Sequence, residues 1–240
     1  LSGIGILLYT LKHFPELVPK KAERTWNKGN FRAVLDLSLM TSLQQSIMNF
    51  GILLVQGLVN SFGTTVMAAF AAAVKIDSTA YLPVQDFGNA FSVFVAQNHG
   101  ADNRERIRKG VKSAVLVCAA FCIVISLGVC SFAEPLMKIF IDAEETAVIA
   151  VGAEYLKIEG AFYLGIGILF LLYGYFRAVE KPGISVILTA ASLGTRVVLA
   201  YTLSAVPMLG VRGIWMSVPI GWVFADLIGI FLYCKTRKKA

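Results

Sequence analysis

Hydrophobic and polar positions along this chain fall into long apolar runs separated by short polar breaks. Six runs stand out: span A at 33–60, span B at 65–96, span C at 110–132, span D at 147–176, span E at 184–206 and span F at 213–234. About 18 or more mostly apolar residues make a helix long enough to cross roughly 30 Å of hydrocarbon, whereas membrane barrels use alternating strands of about ten residues. The pattern predicts an all-α membrane protein, a bundle of six transmembrane helices. Before span A, Ile4–Leu11 is apolar but too short to cross. It has no basic segment ahead of it and no small-residue cleavage site after it, so it reads as the end of a preceding transmembrane helix, not a leader. The chain divides into that stub at 1–11, a cytoplasmic linker with Pro15 and Pro19 at 12–32, the six-helix lobe at 33–234 and a basic cytoplasmic tail at 235–240.

Composition agrees. Hydrophobic residues make up 57% and charged residues 15%, against about 25% charged in soluble domains. Net charge is +7, which raises nucleic-acid binding as a competitor. Its placement decides against that. The linker, the B–C loop, the D–E loop and the tail hold 17 of the 22 basic residues, and these segments alternate along the chain. The opposite loops hold only Lys138 and Arg212, and the C–D loop carries Glu134, Asp142, Glu144 and Glu145. Basic loops face the cytoplasm and meet anionic lipid head groups. The expected partners are therefore membrane lipids and not nucleic acid. Cys118, Cys122, Cys130 and Cys234 lie in apolar runs and read as small hydrophobes, with no metal or disulfide pattern.

Polar residues inside spans carry the functional signal, because they are expensive there. In span A, Ser38, Ser42, Gln45, Asn49, Gln56 and Asn60 fall within about 60° at 100° per residue. That stripe either lines a cavity or bonds to neighbouring helices, and Gln45 and Asn49 are nearest mid-membrane. Span B carries Lys75 and Asp77 near its middle. Residues two apart do not face each other on a helix, so another helix must supply a partner unless the helix is irregular, and Pro83 follows six residues after Asp77. The pair is either a proton or cation relay with a substrate contact, or a structural ion pair. In span D, Glu154 and Lys157 can pair at i, i+3 near the outer interface, Glu159 is deepest, and Tyr163 lies one turn further in. Arg196 and Asp226 default to packing, and His99 to a helix end.

Several segments taken in order resemble the second lobe of MATE transporters. They are Gly57-Leu58-Val59-Asn60-Ser61-Phe62-Gly63 followed by an Ala-rich run and Lys75-Ile76-Asp77, then Phe94-Val95-Ala96-Gln97-Asn98-His99-Gly100-Ala101 with Arg106-Ile107-Arg108-Lys109-Gly110. Tyr173-Gly174-Tyr175-Phe176-Arg177-Ala178 precedes Lys181-Pro182, and Leu209-Gly210-Val211-Arg212-Gly213-Ile214-Trp215 precedes Pro219. The set covers nearly the whole chain. The resemblance implies twelve helices in two six-helix lobes related by an approximate two-fold axis. It also implies alternating access, with organic cations or amphipathic compounds expelled against protons or sodium and no cofactor. Ile4–Leu11 would end the sixth helix, and the N-terminal lobe would be a partner missing from this chain. Two features depart from the family. Its sodium-coupled members carry a carboxylate where span A reads Gln44-Gln45-Ser46-Ile47-Met48-Asn49, and an Asp where this chain has Ile166. Coupling then falls to an acid in the other lobe, the preferred reading, or to Asp77 and Glu159. Gln45, Asn49, Lys75, Asp77, Glu159 and Tyr163 are the candidate substrate and ion pathway. A lipid-linked oligosaccharide flippase would need a cavity rich in Arg, where only Lys75 and Arg196 are available. A membrane scaffold is the remaining alternative. No constellation of an intramembrane enzyme is present.

Overall fold

A computed structural model of the chain describes residues 2–14 and 27–239, so most of the linker expected at 12–32 lies outside the described residues. Those residues are helical throughout, with no strand. In chain order the helices are α1 (Ser2–His13), α2 (Lys28–Asn60), α3 (Thr64–Gly100), α4 (Arg104–Ser131), α5 (Ala133–Met137), α6 (Thr146–Gly160), α7 (Tyr163–Ala178), α8 (Pro182–Ser204) and α9 (Val211–Lys239). The chain forms two compact units, Leu1–Ser38 and Leu39–Ala240. In the first, α1 leaves Ile4, Ile6, Leu7 and Leu8 exposed. The second is the helical bundle.

The six apolar runs become helices with ends a few residues from those expected. Span D is the exception, because it is broken into α6 and α7, which meet at 53°. The C–D loop also contains the five-residue helix α5, which no periodicity announced. By length and composition alone α4, α8 and α9 qualify as spans, and the α6–α7 pair makes a fourth. Helices α2 and α3 are long enough at 33 and 37 residues, and their polar residues, including the stripe on α2 and the charges on α3, explain why composition passes them over. Local chemistry sets the breaks. Gly63 takes φ 95° between α2 and α3, a conformation that a Cβ disfavours. The Asn103 side chain accepts the Arg106 amide at 3.1 Å and caps α4. Pro182 begins α8, where a missing N–H costs nothing. Pro83 lies inside α3, and the helix runs through it.

Helix α7 is the most enclosed and packs against α3, α4, α8 and α9. On the outside, apolar side chains such as Leu116, Val124 and Leu127 of α4 stay exposed, as expected of a surface solvated by lipid. Lipid tails give no hydrophobic drive for helices to associate, so close backbone approach matters more. Gly88 and Gly174 provide it between α3 and α7. A Cβ on Gly174 would lie 2.5 Å from the Gly88 carbonyl oxygen, which cannot move without breaking the helix. Gly128 on α4 has nothing within 4 Å of its virtual Cβ. Thermal unfolding of purified protein should therefore move in opposite directions. Gly174→Ala should destabilise by about 1–3 kcal/mol through overpacking, and Gly128→Ala should stabilise by about 0.5–1 kcal/mol through helix propensity. Equal effects at the two sites would refute the close approach.

The charge asymmetry of the loops becomes a spatial one. His99, Arg104, Arg108 and Lys181 converge at one end. Asp142 and Glu145 line an opening with Thr64 at the start of α3, at the opposite end of that helix from His99. Glu154 and Lys157 do not pair with each other. Lys157 reaches Glu134 at 3.4 Å, and Glu154 takes Arg212. Neighbouring helices offer partners in better positions than the i, i+3 neighbour does.

Candidate ion site inside the lobe

Asp77 lies on the buried face of α3, 4% exposed, while Lys75 two residues earlier points outward and is exposed. The partner that the sequence required comes from α7: the Tyr163 hydroxyl donates to Asp77 Oδ1 at 2.7 Å. Tyr163 and Glu159 are each 1% exposed. They flank the bend, where Gly160 ends α6, the Phe162 amide bonds back to the Glu159 carbonyl and Phe162 adopts φ −115°, ψ 17°. A Cβ on Gly160 would lie 3.2 Å from Val129, so α4 presses close at this point.

The Glu159 carboxyl and the Tyr155 hydroxyl sit beside the Asp77 carboxyl, and Arg196 from α8 lines the same cavity as both acids. Glu159 Oε1 and Arg196 Nε are buried without a hydrogen-bond partner. An aromatic cluster adjoins the group. Phe70 stacks on Trp215 with centroids 5.4 Å apart, and Tyr155 meets both rings edge-on. The charged groups line a cavity of about 120 Å³ that also touches Met48 of α2, Ile166 of α7 and Trp222 of α9. Ligand pockets for organic molecules are roughly 300–1,000 Å³, and a water takes about 30 Å³. The cavity therefore suits a few waters or a small ion and is too small for a drug. Two carboxyls and one guanidinium around the same cavity leave one negative charge uncompensated when both acids are ionised. Burying that charge alone costs several kcal/mol. A proton or a small cation would balance it. Among the described residues no group of three or more His, Cys, Asp or Glu could hold a metal ion.

The other candidates lie elsewhere. Gln45 lines a second cavity of about 160 Å³ with Gln44, Gln85, Asn89 and Arg177, in which Arg177 Nη2 donates to Asn89 at 3.0 Å. Asn49 is exposed and lines neither cavity. The fully buried positions of α2 are Gln44, Gly51, Val55 and Val59, so Ser42, Asn49 and Asn60 of the polar stripe stay exposed beside that face while Gln45 reaches the second cavity. The Lys75 carbonyl accepts from the Ser78 and Thr79 hydroxyls, and its ammonium is not in the cavity. Tyr155 was missed in the sequence, although it lies one turn before Glu159. Arg196, read there as packing, enters the cavity. Asp226 is 7% exposed, with Oδ1 buried and unpartnered. Ile166, where the family's sodium-coupled members are expected to carry Asp, lines the same cavity as an apolar wall.

Comparison with known proteins agrees with this architecture. A MatE family model matches residues 39–202. The chain is 29% identical over 236 residues to the Bacillus subtilis "Probable multidrug resistance protein YpnP", covering 98% of this chain and 52% of that one. It is 21% identical over 241 residues to the Thermotoga maritima "Probable multidrug resistance protein NorM", covering 99% and 52%. The structure of the Vibrio cholerae MATE transporter VcmN superposes with a TM-score of 0.88 at 20% identity, covering 99% of this chain and 54% of that one. A MOP superfamily transporter from Pyrococcus furiosus gives 0.87 at 18%, covering 97% and 52%. The chain thus spans about half the length of the relatives it matches. The match extends over most of the bundle and its fold is shared with solved transporters, so the chain belongs to the MatE family, whose members are multi-pass membrane transporters and not enzymes.

Proposed function

We propose that the chain forms one lobe of a secondary transporter in the bacterial inner membrane, which exports organic cations or other amphipathic compounds in exchange for protons or sodium. The basic end faces the cytoplasm and carries the C-terminus. A preceding six-helix lobe completes the cleft between lobes, where substrate sits near the midplane. The exposed part of the polar stripe of α2 supplies Asn49 to that cleft, while Gln45 lines the second cavity within this lobe.

The observation that carries the reading is the cavity of Asp77, Glu159 and Arg196. Buried ionisable groups at this depth are costly and serve ion pathways. The space they enclose fits a coupling ion and not the cargo. Ion and substrate are then held in different places, as exchange by alternating access requires. The departures at Ile166 and in span A remove the family's sodium ligands from this lobe. Asp77 and Glu159 take the coupling role instead, with the proton as the favoured ion.

The test uses full-length protein in proteoliposomes with a fluorescent organic cation. Substrate efflux should move protons or sodium in the opposite direction. Efflux with no counter-movement of either ion would overturn antiport, and no efflux of any compound tried would favour the scaffold reading.

A further inference from the structure

A cavity of about 600 Å³, much larger than the ion site, opens at the basic end among the ends of α3, α4, α7 and α9 and the α7–α8 loop. Its rim carries three permanent cations, Arg104, Arg108 and Lys181, from loops far apart in sequence, with His99 beside them. Its one acid, Glu105, pairs with Lys109 at 2.8 Å, a contact that is likewise mostly exposed. The ion pair of Arg104 with Asp102 spans 3.1 Å with both side chains mostly exposed, which makes it weak and easily exchanged. Below this rim the walls are apolar and aromatic: Val179, Tyr175 and Tyr233, whose rings meet edge-on at 4.9 Å.

A cationic mouth above an apolar floor, at a helix-bundle end where the interface lies, matches an amphiphile with an anionic head. We propose that this cavity is a binding site for an anionic phospholipid of the inner leaflet, its phosphate held by Arg104, Arg108 and Lys181 and its glycerol and upper acyl segments laid against Tyr175, Val179 and Tyr233. Basic pockets between transmembrane helices on the cytoplasmic side take such head groups. The volume exceeds what a bare phosphate needs, and the apolar floor gives a soluble anion nothing to bury. One lipid would join the start of α4, the end of α7 with the loop after it, and α9. The site rests on the membrane fold and on the cytoplasmic orientation of the basic end, and stands whether or not the transport reading does.

The test measures lipid retention by purified full-length protein in native mass spectrometry, with dioleoyl phosphatidylglycerol, dioleoyl phosphatidylcholine and glycerol 3-phosphate as probes. Phosphatidylglycerol should bind in preference to phosphatidylcholine, and glycerol 3-phosphate should not displace it. The triple variant Arg104→Gln, Arg108→Gln, Lys181→Gln should weaken phosphatidylglycerol on the order of 100-fold, at roughly 1 kcal/mol per basic side chain near the surface. The control Arg106→Gln, Lys112→Gln removes two charges from the same helix outside the cavity, one of them stacked over Phe94 at 5.8 Å, and should leave the site within a few-fold of wild type. If the triple variant does not fold, Arg108→Gln and Lys181→Gln alone should each cost about fivefold. Equal retention of both lipids, an equal loss in the control, full binding in the variants or displacement by glycerol 3-phosphate would each overturn the proposal.

Discussion

Asp77→Asn in the full-length protein is expected to reduce ion-coupled efflux to that of empty vesicles while leaving the protein folded. The substitution is isosteric, and the Asn amide oxygen still accepts from the Tyr163 hydroxyl now 2.7 Å from Asp77. What disappears is one buried negative charge. Glu159 and Arg196 then leave one acid and one cation on the cavity wall, so the folded state gains no uncompensated charge. The transport cycle loses its exchangeable site, because an amide neither binds nor releases a proton at this position. Asp77→Glu should recover part of the coupling. Lys75→Gln, two residues away on the exposed side of α3, should leave ion counter-movement intact. Coupled efflux that persists unchanged in Asp77→Asn at normal expression would remove Asp77 from the mechanism and return the coupling role to the other lobe.

The second large effect concerns stability. Arg196→Met should destabilise the protein by about 1–3 kcal/mol, because it removes the one cation that lines the cavity of Asp77 and Glu159. The guanidinium lines the same cavity as Asp77 and Glu159, so its loss leaves two carboxyls there without a cation. Adding Glu159→Gln to the same chain should recover most of that loss. Measured by thermal unfolding in detergent, the two substitutions together should cost much less than the sum of their separate effects. Strict additivity would mean that the three groups do not share one electrostatic site.

The fold was legible in the sequence because membrane spans are written in local composition. Six runs, their alternating loops and the basic end need only a window of some twenty residues to be read. The site was legible one residue at a time and not as a group. Asp77, Glu159 and Tyr163 each announced themselves as polar residues in costly places, and spacing showed that Asp77 needed a partner from another helix. Which helix it would be was beyond reach, since Tyr163 lies 86 residues away. Arg196 could be read as snorkelling or meeting a carboxylate on a neighbouring helix, with packing as the default, but which carboxylates stayed hidden for the same reason, and Glu154 with Lys157 looked like a pair although Arg212 and Glu134 lie beside them. The break in span D was hidden as well. Gly160 and Gly165 permit a kink there, but many glycines in the same run support straight helix, and only the packing of α4 against Gly160 selects the place.

That break has a consequence for who controls Asp77. On an unbroken helix Glu159 and Tyr163 would stand one turn apart on one face, and both approach Asp77 because the backbone changes direction between them. The apex of the turn, Ala161 and Phe162, lies on the outer surface of the bundle, with Phe162 48% exposed. Opening or closing the angle lengthens or shortens the reach of Tyr163 to the carboxyl it covers. The turn that carries Tyr163 to the buried acid thus has its apex on the side of the bundle open to lipid.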